Sequence, residues 1–212
     1  MTCRSPLNYH IFFTYYEPGK HDYYNNIYAS YARISAGQND SVWTTDKEII
    51  FKRIKHDLPE KNWLPFIDSQ DNLLAIRSCN PLSILSINNE IGDWDYLLSK
   101  SDFPFEQNRN SAGPVPYKEG YLMVVHKAVF VDQKCDYKNY YRRFIYVDKN
   151  FNLIAFSDPF VFCKEGIEFS CGMTLDHEEK SIIIGVGIDD REAYLYKVPL
   201  TIIDHIVQHR IS

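Results

Sequence analysis

An all-β fold assembled from small antiparallel sheets, in the manner of a five-bladed propeller with about four recognisable blades, is what this sequence predicts. Three observations predict it. Short runs rich in Ile, Val, Phe and Tyr recur between clusters of Asn, Asp, Gly, Pro and Lys, which is the pattern of strands and turns rather than the 3.6-residue period of amphipathic helices. Aromatic residues make up 15% of the 212 residues, with 16 Tyr and 13 Phe, side chains that pack well on a pleated surface. The runs fall into four sets, at residues 9–54, 62–98, 111–160 and 166–198, and about 40–50 residues per set is the spacing of a propeller blade, whose small sheet buries its faces only against its neighbours. A β-sandwich also has many short strands, so the repeat length is what favours a propeller.

Taken in order, the first set predicts strands at Tyr9–Tyr15, Ile27–Ile34 and Ile49–Ile54, and the second at Trp63–Ile67, Leu73–Arg77 and Ser83–Ile87. The third opens on a Gly/Pro turn at Asn110–Pro116 and continues with strands at Tyr121–Val129, Arg143–Val147 and Leu153–Phe156. The fourth predicts Ile167–Leu175, Ser181–Ile188 and Ala193–Lys197. After Pro199, the spacing of Ile202, Ile203, Ile206 and Val207 predicts a short C-terminal helix over Leu200–Gln208 as a capping element. At this size the whole chain, 1–212, is expected to form one propeller domain with an incomplete first blade.

Composition narrows the function classes. Net charge is −5 with no long block of like charge, so nothing marks a nucleic-acid or anionic-membrane surface. The most basic stretch, Lys52 to Lys55, reads as a solvated strand edge. The 5 Cys form no C-x-x-C pair, which favours reduced thiols and a cytoplasmic location. No window approaches the roughly 20 apolar residues of a membrane span. The His205/His209 pair lacks the intervening Glu of a zinc-protease helix, and neither a metal nor an organic cofactor is implied.

Several segments carry candidate chemistry. Glu60-Lys61-Asn62-Trp63 places charged and amide groups just before an aromatic strand, where a propeller's inner strands deliver them to a central funnel. Gly120-Tyr121-Leu122 opens an apolar strand ending in His126-Lys127, a position from which a cation meets a phosphate or carboxylate. Tyr140-Tyr141-Arg142-Arg143-Phe144 follows, then Phe156-Ser157-Asp158-Pro159-Phe160, then Ile167-Glu168-Phe169-Ser170-Cys171-Gly172-Met173, then Gly185-Val186-Gly187-Ile188-Asp189-Asp190. Glu168 should sit on the face opposite Ile167 and Phe169. An acid there needs a partner, for which Arg142 and Arg143 are the candidates, and a structural ion pair competes evenly with a ligand role.

Together and in this order, these segments resemble the five-bladed propellers of glycoside hydrolase family 130, the β-mannoside phosphorylases and hydrolases, and related mannosyltransferase and glycosyltransferase-associated propellers. The resemblance runs from the start of the chain to about Val198. It implies that His126 and Arg142 or Arg143, beside Tyr141, lie where the phosphorylases hold phosphate, so that inorganic phosphate enters as a co-substrate. It implies too that Asp190, Lys61 and Asn62 face the sugar and that Glu168 points into the funnel. The family's Glu-Asp-x-Arg motif, whose Asp is the proton donor, falls at Met1-Thr2-Cys3-Arg4: Arg4 is kept and both acids are replaced.

The expectation is therefore a carbohydrate-active propeller that binds a mannoside-like glycan or sugar phosphate, with little turnover, because a positioned acid is worth about 10²–10⁴-fold. The alternative is a non-catalytic propeller module for glycan recognition or protein interaction alongside a glycosyltransferase. Incomplete closure would leave blade edges unpaired, so self-association or a partner chain completing the propeller is also expected.

Overall fold

The computed structural model describes residues 62–88, 91, 93–100, 103–131 and 137–207 with their side chains, and the backbone of strands at 8–16, 27–36, 43–50 and 209–210. Four antiparallel sheets follow one another along the chain. Sheet 1 contains β1 (Asn8–Tyr16), β2 (Ile27–Ala36) and β3 (Trp43–Ile50). Sheet 2 contains β4 (Leu64–Ile67), β5 (Leu73–Cys79), β6 (Leu82–Asn88) and β7 (Asp93–Lys100). Sheet 3 is a meander of β8 (Arg109–Tyr117), β9 (Gly120–Phe130), β10 (Lys138–Asp148) and β11 (Leu153–Phe156). Sheet 4 contains β12 (Glu168–Asp176), β13 (Ser181–Ile188) and β14 (Glu192–Pro199). A helix, α1 (Leu200–Ile206), follows, and β15 (His209–Arg210) adds to the outer edge of β11.

The sheets stack face to face, and the two-residue period of each strand decides which residue enters which layer. On β9 and β10, Met123, Val125, Ile145 and Val147 pack with Leu74, Ile76 and Ile84 of sheet 2. Their alternates Leu122, Val124, Phe144 and Tyr146 pack with Ile182, Ile184, Val186 and Ile188 of sheet 4. Sheet 2 in turn buries Trp63, Ala75, Leu85, Ile87 and Trp94 on its other face. The first strands of consecutive sheets are neighbours, with β8 beside β4 and β5 on one side and β12 on the other. Asn110 Nδ2 donates to Ile76 O at 2.9 Å and Ser111 Oγ to Ser170 O at 3.2 Å, tying the three sheets together along these inner strands. Sheets stacked around neighbouring inner strands make an all-β, propeller-like fold.

Two hairpins share one turn chemistry. Asp68 accepts hydrogen bonds from the backbone N–H of Gln70 and Asn72 and from the Asn72 amide, while Asp71 takes φ 61°. Asp148 repeats the arrangement with Asn150 and Asn152, with Phe151 at φ 58°. Both are Asp-x-(Gln/Asn)-x-Asn-Leu, an Asx-turn device in which the side chain replaces a missing backbone partner. It closes β4–β5 and β10–β11 alike.

Four sequence expectations are corrected. Asn110–Pro116 is not a turn but most of β8, with register irregularities between Asn110 and Ala112 and between Ala112 and Val115. Gly and Pro are tolerated because β8 is a terminal strand with one partner, so the N–H that proline lacks need not fall in a ladder. β7 was not expected, because as an outer strand it carries Asp93, Asp95 and Lys100 and reads as polar. Helix α1 stops at Ile206, capped by Val207 N–H donating to Ile203 O at 3.0 Å, and His209 enters β15, so His205 and His209 do not share a helix face. In set 1 the third strand is Trp43–Ile50; residues 51–54 lie outside the described residues.

Candidate functional site

Four connections meet at one end of the sheets: β7–β8, the β9–β10 hairpin, β11–β12 and the β13–β14 turn. Tyr140 N–H donates to Gly166 O at 3.0 Å and Asp189 N–H to Ile167 O at 2.7 Å. Arg142 and Phe160 exchange two backbone hydrogen bonds of 2.9 Å, laying the β11–β12 connection beside β10.

A fully buried ion pair clamps that connection. Glu168, the first residue of β12, accepts at one carboxylate oxygen from Cys163 N–H (2.8 Å) and Lys164 N–H (2.9 Å), and at the other from Phe162 N–H (3.0 Å) and Arg142 Nη1 (2.8 Å). Both side chains are 0% exposed. Arg142 also donates to the carbonyls of Tyr140 and Glu168, and its guanidinium lies over the Phe162 ring. Burial pushes Arg142 down to about 10 against the attraction of Glu168, so it remains charged at neutral pH. Of the two partners the sequence offered to Glu168, the structure selects Arg142, and the pair is engaged in holding backbone.

His126 is the cross-strand neighbour of Arg142 on the same face of sheet 3. It is buried, stacked on Tyr140 with centroids 5.5 Å apart and edge-on to Phe169 at 5.4 Å. Tyr141 and Arg143, one residue out of phase, lie on the opposite face. The structure therefore does not bring His126 and Arg143 together.

What it does bring together on that opposite face is an open cleft of about 930 Å³ between the Phe103–Asn108 connection and sheet 3. Lys127 and Val129 of β9 and Tyr141 and Arg143 of β10 form its floor, while Phe103, Phe105, Glu106, Asn108, Phe156 and Pro159 form its sides. Lys127 and Tyr141 are direct cross-strand partners. Arg143 is held by donating to Ser157 O at 2.8 Å, with its guanidinium 5.8 Å from the Phe156 ring centre. Tyr141 donates to Glu165 at 2.9 Å, and Asn139 donates to the other oxygen of that carboxylate at 3.2 Å. A cleft with aromatic sides, two cations and a fixed phenol has the groups that recognise a polyhydroxylated, anion-bearing ligand.

The remaining site candidates are dispersed. Asn62 precedes β4 at φ 61°, next to Trp63, which is buried edge-on to Trp94. Asp190 sits in the β13–β14 turn at φ 53°, and its neighbour Asp189 pairs with Lys164. Arg4 and Lys61 lie outside the described residues. Among the described residues no group of His, Cys, Asp and Glu is arranged to hold a metal ion, and no helix is long and apolar enough to cross a membrane. Phe103, Phe105 and Glu106 were missed by the sequence reading. Their one signal was the Phe-Pro-Phe of the β7–β8 connection.

No protein-family model matches the chain, and no curated protein matches it significantly. Among solved structures it is similar to an α-L-arabinanase from Cellvibrio cellulosa, at 11% identity over 98% of this chain and 80% of that one, with a TM-score of 0.51. The arabinanase of that organism complexed with arabinohexaose gives 11% identity, 96% and 77% coverage and a TM-score of 0.47. At this identity the first similarity speaks to the fold alone, which is propeller-like as the stacking of the sheets requires.

Proposed function

We propose that this chain is a carbohydrate-active propeller that binds a mannoside-like glycan or a sugar phosphate in the cleft between the Phe103–Asn108 connection and sheet 3. The observation that carries the reading is the cleft's make-up: Arg143 and Lys127 beside the Phe105 and Phe156 rings, with Tyr141 fixed by Glu165. Sugar rings present apolar faces to aromatic walls and hydroxyls to polar groups, and the two cations suit a phosphate. The structural likeness to an arabinanase supports the fold on which such a site is built and leaves the sugar to experiment. In this reading Arg142, Glu168 and His126 shape the site from behind.

One observation favours the non-catalytic alternative, a recognition module working alongside a glycosyltransferase. Glu168 is fully buried and held by four donors, and an acid so engaged cannot reach a leaving oxygen. Among the described residues, Glu106 is the one carboxylate lining the cleft. Calorimetric titration with short mannosides, mannose 1-phosphate and inorganic phosphate tests the proposal, using wild type, Arg143→Ala and His126→Ala. Saturable binding lost in Arg143→Ala and retained in His126→Ala supports the cleft. Loss in His126→Ala alone moves the site to the other face of sheet 3, and no binding to folded wild type ends the carbohydrate reading.

A further inference from the structure

Sheet 4 ends differently from its neighbours. Sheets 2 and 3 place a fourth strand outside their third, whereas among the described residues nothing pairs with the outer edge of β14. That edge lies away from the inner strands, at the rim, where another molecule can reach it. Alternate residues of β14 therefore direct backbone N–H and C=O groups outward, a template for an added strand.

Natural edges are usually blunted by charge or by a bulge. Another outer strand, β7, is interrupted by a register irregularity between Ile84 and Leu85 in its pairing with β6. β14 pairs with β13 in unbroken register from Glu192 to Pro199. Its charged residues, Glu192 and Lys197, flank an uncharged centre, Ala193-Tyr194-Leu195-Tyr196. Leu195 is 79% exposed and Tyr194 45%. Lys197, the nearest cation, is already paired with Asp176 (3.1 Å) and Glu179.

We propose that β14 is a dimerisation edge that pairs antiparallel with β14 of a second copy of this chain, about a two-fold axis through Leu195. The sequence around that residue identifies the occupant: Tyr194-Leu195-Tyr196 reads the same in both directions. Residues directly opposite in an antiparallel pair share a face. A two-fold at Leu195 thus sets Leu195 against Leu195 on one face and Tyr194 against Tyr196 on the other, with Ala193 opposite Lys197. The tyrosine pairs extend an aromatic row that already runs from Phe160 through Phe162 and Tyr196 to Tyr194, and such cross-strand pairs are the stabilising unit of a sheet. The isologous contact closes on itself, so it stops at a dimer rather than a fibre. One strand pair buries less than a standard interface, so the dimer is weak and concentration-dependent.

Sedimentation velocity on the full chain from micromolar to near-millimolar concentration tests this, together with Leu195→Lys, which sets two ammonium groups together at the axis. A monomer–dimer equilibrium weakened at least tenfold in Leu195→Lys, with unchanged circular dichroism, is expected. Amide hydrogen exchange on the wild type reads the same contact without a variant: protection of β14 should rise with concentration while that of β7 stays constant. A monomer at every concentration, an equally associating Leu195→Lys, or protection gained outside β14 overturns the proposal.

Discussion

Replacing Glu168 by Gln keeps the shape of the side chain and removes its charge, leaving Arg142 buried at 0% exposure without a counter-ion. Breaking one side of a buried pair costs about 3–5 kcal/mol, because the remaining charge keeps its desolvation penalty. Here the loss also touches three backbone N–H groups, those of Phe162, Cys163 and Lys164, which the carboxylate holds between 2.8 and 3.0 Å. For a chain of this size about 2–4 °C accompanies each kcal/mol, so the melting temperature should fall by roughly 6–20 °C. Thermal melts followed by far-ultraviolet circular dichroism measure it. The double replacement Arg142→Met/Glu168→Gln supplies the control: it removes the unpaired buried cation while the Gln oxygen still accepts from the backbone N–H groups, so it should melt above Glu168→Gln alone. A melting temperature for Glu168→Gln indistinguishable from wild type, or destabilisations of the single variants at the two positions that simply add, would refute the argument that this pair holds the β11–β12 connection.

Three further outcomes are expected. A Cβ at Gly120 would overlap the Val147 carbonyl oxygen and lie 2.8 Å from Asp148 Cα, so Gly120→Ala must push β9 from β10 at about 1–3 kcal/mol, which urea unfolding will measure. Asp148 is raised by burial but held below the usual carboxylate range by hydrogen bonds from Asn152 and Asn150. A lowered folded-state value gives stability that is present above the unfolded value of about 3.9 and lost as pH falls through the folded one, so Asp148→Asn should flatten the acid limb of melting temperature against pH. Tyr117, pushed up to about 12 first by burial and then by its hydrogen bond to Asp204, anchors α1 to β8. Tyr117→Phe should cost about 1.5–3 kcal/mol and speed amide exchange in α1 more than in β13.

How much was legible in advance differs by element. β11 and β13 have the bounds read from the sequence, because an apolar strand bounded by turn residues is specified locally. The four sets coincide with the four sheets for the same reason, since each set closes its own hydrogen-bond ladder. β8 was read as a turn because its glycine and prolines are turn residues by local chemistry, and only its place at the edge of sheet 3 makes them acceptable in a strand. β7 was hidden by its exposed, charged outer face.

The candidate site divides along the same line. Residue types alone offered Arg142 and Arg143 as partners for Glu168, and alternation alone puts Arg142 and Arg143 on opposite faces of any strand. Which face becomes a core and which a cleft is decided by the packing of neighbouring sheets. Sheet 4 and the β11–β12 connection cover Arg142, His126 and Glu168, whereas the Phe103–Asn108 connection leaves open the face of sheet 3 that carries Tyr141, Arg143 and Lys127. The sequence by itself therefore determined the strands other than β7, β8 and β15, the four-sheet grouping and the groups available for chemistry, all of which depend on neighbours along the chain. Tertiary structure alone decided that Arg142 belongs to Glu168 and that Arg143 faces a cleft, because those depend on residues brought together from 20 or more positions apart by the stacking of one sheet on the next.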